Sequence, residues 1–116
     1  MGREDQHLLS GIPRHINGRH AFVHERVLLM VVRETLLSGS IKFRKRDLAV
    51  QLGCCDAMLD RALARLRRSG DITSTPSYSE TGSQLANSYS ATEQGIEEAQ
   101  KLIAAIQSVD PTFELA

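Results

Sequence analysis

The sequence predicts a mainly α-helical domain with one small β-hairpin, an α+β arrangement. Three observations predict it. Aromatic residues make up only 4% of the chain and Trp is absent, while apolar residues reach 41%. The core must therefore be aliphatic, which favours packed helices over a sandwich of strands. Residues 48–72, LAVQLGCCDAMLDRALARLRRSGDI, read as two short apolar-patterned helices broken at Gly53. Helices joined by a three- to four-residue turn containing Gly form a helix-turn-helix pattern. Finally, two β-branched or apolar stretches, 71–75 and 85–89, flank a loop rich in Pro, Ser, Thr and Gly, which reads as a hairpin. At 116 residues the chain is one domain, long enough to bury about two-thirds of its unfolded surface.

Residues 1–20 are mixed and polar, with Gly2, Gly11, Gly18, Pro13 and three of the four histidines. They read as an arm ordered against a partner, with at most a short helix around 5–10. Residues 21–37 form the first helix. Val27, Met30, Val31, Glu34 and Leu37 keep helical spacing, and Leu28, Leu29, Val32 and Leu36 extend the apolar surface around most of the circumference. A helix apolar nearly all round is a buried one, so it is expected at the centre, covered by other helices and by a second subunit. Residues 38–40, Ser-Gly-Ser, stop it.

Ile41, Lys42 and Phe43 alternate as a short strand would. The first helix of the pair is expected over 47–52. The second begins at Cys55 or Asp56 and runs to Arg68, with Cys a poorer cap than Ser or Asp. Leu59, Ala62, Leu63 and Leu66 lie at i, i+3, i+4 and i+7 and make its core face. Arg61, Arg65 and Arg68 repeat at the same period outside. The last helix starts at 90–95, with Ser90 and Glu93 in capping-box spacing and Thr92 competing as cap. Its apolar stripe is Ile96, Ala99, Leu102 or Ile103, and Ile106, and it ends near Ser108. The domain thus spans 21–108, and 109–116 is a tail.

Net charge is zero, but it is unevenly spread. Residues 1–32 carry 4 basic and 3 acidic groups, residues 33–68 carry 9 and 4, and residues 69–116 carry 1 and 7. The basic middle coincides with the helix pair. Cys54 and Cys55 are adjacent, a spacing unsuited to an ordinary structural disulfide, and no second pair builds a framework or zinc knuckle. The N-terminus is too polar for a secretory signal and no apolar run approaches 18 residues. A soluble, cytoplasmic protein without a membrane partner is expected.

The order helix, strand, helix, turn, helix, hairpin, helix is that of a winged helix-turn-helix domain. Leu48-Ala49, Leu52-Gly53, the gap to Leu59, Arg61-Ala62-Leu63, Leu66 and Gly70-Asp71-Ile72 resemble that superfamily's core pattern. Tyr89, Thr92-Glu93-Gln94-Gly95 and Glu97-Glu98-Ala99 resemble the strand-to-helix join of MarR- and PadR-type bacterial transcriptional regulators. The resemblance covers roughly residues 26–107. It implies a homodimeric regulator of transcription, a repressor or an activator, with 55–68 as the recognition helix in the DNA major groove, 73–89 as the wing and the outer helices as dimer contacts.

On that reading the partner is double-stranded DNA, and the expected contacts are Arg44, Lys45, Arg46, Ala57, Asp60, Arg61, Arg65 and Arg68. Arg61, near the helix start, is placed for a base edge. Arg65, Arg68 and the 42–46 cluster suit phosphates, and a carboxylate such as Asp60 can accept from cytosine N4. Most arginines on a helix face are simply solvated, and it is the surrounding helix pair that points these to DNA. His20 and His24, four apart, are a candidate metal pair if the first helix begins early, with His15 able to join them, but no carboxylate or thiol at diagnostic spacing completes the set. A thiol at a helix N-terminus, as at Cys55, is a candidate redox or thiophilic-metal sensor, although small apolar turn residues are commoner there. There is no phosphate loop, paired carboxylate or nucleophile with a placed His, so neither an enzyme nor a cofactor is expected. Three features favour a different class, a winged-helix module for protein–protein contact: zero net charge, a loop between the strands that carries Glu80 and no Lys or Arg, and the acidic C-terminal third. Asp56 and Asp60, at the start of the second helix, stand where phosphate repulsion would be felt. A DNA-binding role in plasmid or phage partition or replication fits the same residues.

Overall fold

The computed structural model describes residues 8–83 and 86–115. In chain order the elements are β1 His15–Ile16, β2 Arg19–His20, α1 Val23–Ser38, β3 Ile41–Lys42, α2 Lys45–Leu52, α3 Asp56–Arg68, β4 Ile72–Thr75, β5 Ser88–Ala91 and α4 Glu93–Gln107.

The central helix α1 starts two residues later than the apolar spacing suggests. Ala21 belongs to the preceding hairpin, where its N–H donates to the Arg14 carbonyl at 2.8 Å. The start is then set by Glu25, whose carboxylate accepts the Phe22 N–H at 2.8 Å. Arg19 donates to the same carboxylate at 2.9 and 2.8 Å and lies 4.5 Å from the Phe22 ring centroid. The Arg19 hydrogen bond holds the Glu25 carboxyl below its usual value, against the opposing effect of burial. Every residue from Val27 to Arg33 is buried. Over residues 27–33 the expected burial is met by the elements of this chain. Leu36 and Leu37, at the far end, are each 63% exposed.

Residues 8–20 depart from the expectation of an arm ordered against a partner. Leu9, Ile12 and Ile16 join the core, and β1 pairs with β2 antiparallel. The buried Arg33 guanidinium donates to the carbonyls of Ser10 at 2.5 Å and Leu8 at 2.6 Å, tying this segment to α1. Of the short helix expected around 5–10, residues 5–7 lie outside the described residues and 8–11 form a turn.

β3, β5 and β4 form one antiparallel sheet in that order. Ile41 pairs with Tyr89, and Ile72 with Ala91. Of the second hairpin strand expected at 85–89, residue 85 lies outside the described residues, and the strand runs over 88–91. This register turns Tyr89 into the core, where its ring stacks on Phe43 with centroids 5.0 Å apart. Thr35 Oγ1 joins α1 to the sheet, donating to the Val31 carbonyl at 2.7 Å and accepting the Ala91 N–H at 2.8 Å. The loop between β4 and β5 is held by its own bonds: Ser79 N–H to Ser83 O at 2.8 Å, and Ser77 Oγ to Ala86 O at 2.8 Å. At α4 the cap is Thr92, whose hydroxyl oxygen accepts the Gly95 N–H at 3.0 Å. Ser90 instead donates to the Gly39 carbonyl.

Candidate nucleic-acid interface

The helix pair is set by Gly53. It adopts φ 74°, a left-handed conformation that costs glycine little, and closes α2. The N–H groups of Gly53 and Cys54 donate back to Val50 and Ala49 at 3.1 and 3.0 Å, and the chain restarts as α3 with Cys55 as N-cap. The Cys55 side chain makes no cap hydrogen bond. Burial, then the neighbouring Cys55 and Asp56, push the Cys54 thiol up.

α3 buries Leu59, Ala62, Leu63 and Leu66. At 3.6 residues per turn, Ala57, Arg61, Ala64 and Arg68 then occupy the opposite side. Ala57, Arg61 and Arg68 are exposed and Ala64 is half-exposed. Met58 and Arg65 form the flank toward α1, and Asp60 and Arg67 the flank toward α2. Alternating small and guanidinium side chains let a helix approach a surface closely while presenting forked donors at both ends of the contact.

Of the expected contacts, the structure joins two directly. Lys45 Nζ lies 2.9 Å from Asp60 Oδ1, with both side chains about half exposed. An exposed pair of this kind adds about 1 kcal/mol of stability or less. Its larger effect is to compensate the carboxylate on the cationic face. Arg44, the N-cap of α2, and Arg46 in its first turn are exposed beside this pair.

The far end of α3 is built into a joint with α4. The Asp71 N–H donates to Leu66 O at 2.9 Å, and the Thr92 N–H donates to Asp71 O at 3.0 Å. Thr92 Oγ1 donates to Gly70 O at 2.6 Å, and Gln94 Nε2 to Asp71 Oδ1 at 3.0 Å and to the Ser69 carbonyl. Gly95 is required by close approach, since a Cβ there would stand 2.0 Å from Asp71 O. Thr92, Gln94 and Gly95 thus hold the end of the helix pair against the sheet.

Sequence reasoning missed a groove of about 620 Å³ between α3 and the start of α1. Met58, Arg61, Arg65 and Arg68 line one wall and Phe22, Val23 and His24 the other. Phe22 and Met58 are 55% and 43% exposed. Burial first, and the nearby Arg65 charge second, hold His24 below the usual imidazole range. Its signal in the sequence was weak, because Phe22 and His24 precede the periodic part of α1. The His20–His24 pairing is not made. His20 sits in β2, its ring 4.3 Å from that of His15, and α1 begins only at Val23.

No family model matches the chain, and no curated protein matches it. Among solved structures, a PadR-like transcriptional regulator from Bacillus cereus is similar over 78% of this chain and 85% of its own, with a TM-score of 0.57 and 17% identity. Two mutant forms of ZitR from Lactococcus lactis, both 18% identical, give TM-scores of 0.48 and 0.46 and cover 83% and 78% of this chain and 64% and 60% of theirs. The likeness to the PadR-like structure shows the fold. The domain is a winged helix-turn-helix, with α2 and α3 as the helix pair and β4–β5 as the wing.

Proposed function

We propose that the chain is a sequence-specific DNA-binding regulator of transcription that acts in the cytoplasm as a homodimer, with α3 in the major groove. The observation that carries this reading is the outward face of α3, where Ala57 and Ala64 alternate with the exposed Arg61 and Arg68. The alanines allow the helix to approach base edges and thymine methyl groups, and Arg61 is placed for a guanine edge. Arg65, Arg68, Arg44 and Arg46 suit phosphates, each contact releasing counterions. Lys45 compensates Asp60, so the carboxylate adds little repulsion. In a homodimer the two α3 helices meet successive major grooves about 34 Å apart. Repression, by occupying a promoter against polymerase, is the mode proposed.

The test is binding of the wild type and of Arg61→Ala/Arg65→Ala to a duplex from the region flanking the protein's own gene. The wild type is expected to bind with an affinity that falls steeply with salt. The double variant should bind about a hundredfold more weakly, with a shallower salt slope. Equal, salt-insensitive or absent binding in both overturns the reading. The wing, with Glu80 as its one charge, favours a second reading as a protein–protein module. That reading gains if DNA is not retarded at low salt while a basic protein partner forms a stable complex. A role in partition or replication uses the same face and differs in the site bound.

A further inference from the structure

We propose that His15 and His20 form a two-imidazole binding site for a divalent late-transition-metal ion on the N-terminal hairpin. The two are direct cross-strand partners in the antiparallel pair of β1 and β2. The turn between them fixes that register. Asn17 and Gly18 have φ 58° and 78°, as a two-residue type I′ turn requires and as Asn-Gly favours. Ile16 and Arg19 flank the turn, and one step beyond the histidines the Ala21 N–H donates to the Arg14 carbonyl at 2.8 Å. His15 and His20 therefore fall between two hydrogen-bonded pairs, the position where facing side chains stand closest.

The ring geometry suits an ion. The centroids lie 4.3 Å apart and the planes meet at 36°. A metal bonded to two imidazole nitrogens at about 2.0–2.1 Å needs those nitrogens about 3 Å apart. Rings already this near reach that separation by turning about χ2, a soft torsion for histidine. Both side chains are exposed, and among the described residues neither ring nitrogen has a hydrogen-bond partner that binding would break. The buried Ile16 anchors the hairpin in the core, so little backbone ordering is left to oppose binding. No third His, Cys, Asp or Glu completes a cluster among the described residues, and water fills the remaining coordination positions. Nearby cations set the affinity at a modest level. Arg19 is neutralised by Glu25, while Arg14 and Arg26, which line the cleft beside His20, oppose a cation. Two neutral imidazoles select Ni²⁺, Cu²⁺ or Zn²⁺ over Mg²⁺ and Ca²⁺, which take oxygen ligands. The hairpin runs directly into the start of α1, where Arg19 and the Phe22 N–H bond to Glu25. An ion bridging the two strands therefore acts as a clamp on that start.

The probe is Ni²⁺, which unlike Cu²⁺ does not oxidise the exposed Cys55 thiol, with Mg²⁺ as the control. The full chain, carrying no affinity tag, is titrated by calorimetry and by paramagnetic broadening of its amide resonances. One ion per chain is expected, with broadening centred on residues 15–20 and a melting temperature that rises with Ni²⁺ and not with Mg²⁺. His15→Ala and His20→Ala should each raise the Ni²⁺ Kd about tenfold or more, and the double variant should lose little further, because one missing ligand already ends the chelate. His24→Ala, whose ring stacks on Phe22 instead, should bind within about twofold of wild type. Without metal the two single variants should melt like wild type, since both rings are on the surface. Broadening centred on Cys55 or His24, binding that survives in the double variant, or neither heat nor broadening in the wild type overturns the proposal. None of these outcomes bears on the α3 reading, whose residues lie elsewhere.

Discussion

The helix α3 and the wing leave the same joint at residues 69–72 and are built on opposite terms. α3 keeps its leucines inside and sets Arg61, Arg65 and Arg68 outside. The wing turns Tyr89 inward onto Phe43 and carries one charged residue, Glu80, between its strands. Minor-groove contacts made by extended segments usually rest on Arg or Lys. In this chain the cationic surface is concentrated on the helix pair, and the hairpin's visible work is to complete the core. The difference teaches that the wing's strands serve packing, while the cations that any polyanion contact needs stand on the helix pair.

The most damaging change should be one that removes the common base of both regions. Gly95→Ala places a methyl group where Asp71 O already stands, 2.0 Å from the ideal Cβ. The gain in helix propensity is about 1 kcal/mol. Displacing backbone at a hydrogen-bonded joint outweighs it, for an expected net loss of about 3 kcal/mol. In a chain of this size that lowers the melting temperature by about 10 °C. Helix and wing should loosen together, with amide exchange rising at the end of α3 and in β4. A Gly95→Ala protein that melts within about a degree of wild type would show that the two regions are not held by this joint.

How much of this was legible in the sequence follows from how local each signal is. α3 was legible because leucines at 59, 63 and 66 repeat with the helix period and Gly53 punctuates the turn. The motif at 92–95 was legible as a pattern, but its reason, the pressing of Gly95 onto Asp71, lies 24 residues away in the chain. The N-terminal hairpin was not legible. Its burial depends on isolated Leu9, Ile12 and Ile16 and on Arg33 bonding to carbonyls at positions 8 and 10, a partnership without local periodicity. β5 extends two residues beyond the expected end because the strand is chosen by Tyr89 and by pairing with β3 and β4, not by its own composition. At the candidate interface the sequence supplied the cations but not their pairing. Lys45 and Asp60 lie on different helices and meet only in the fold.

That pairing gives the intermediate test of the comparison, on the helix side. With α3 on DNA, Lys45→Ala removes a cation and also leaves the Asp60 carboxylate uncompensated beside phosphates. Affinity should fall about tenfold at low salt, more than one exposed lysine alone would cost. Asp60→Ala should raise non-specific affinity by about threefold, and Lys45→Ala/Asp60→Ala should return close to wild type. Stability should change by about 1 kcal/mol or less in each, because both groups are half exposed. Anisotropy titrations at two salt concentrations read all three variants. Additive losses, with no rescue in the double variant, would mean that Lys45 and Asp60 do not act as a pair toward DNA.

The smallest expected effect is on the wing itself. Glu80 is exposed at the loop, next to a turn that Ser79, Thr81 and Ser83 hold with their own hydrogen bonds. Glu80→Lys reverses a charge without touching those bonds, so stability should stay within about 0.5 kcal/mol of wild type. If the wing stands clear of the duplex, the reversal acts only through long-range attraction. Affinity should then rise no more than about threefold at low salt, and the gain should vanish once the screening length drops to about 8 Å at physiological salt. A gain of about tenfold that survives physiological salt would instead place the loop tip in direct contact with phosphate. The contrast between a working helix and a structural wing would then have to give way to one in which the wing is a contact held weak by a single carboxylate.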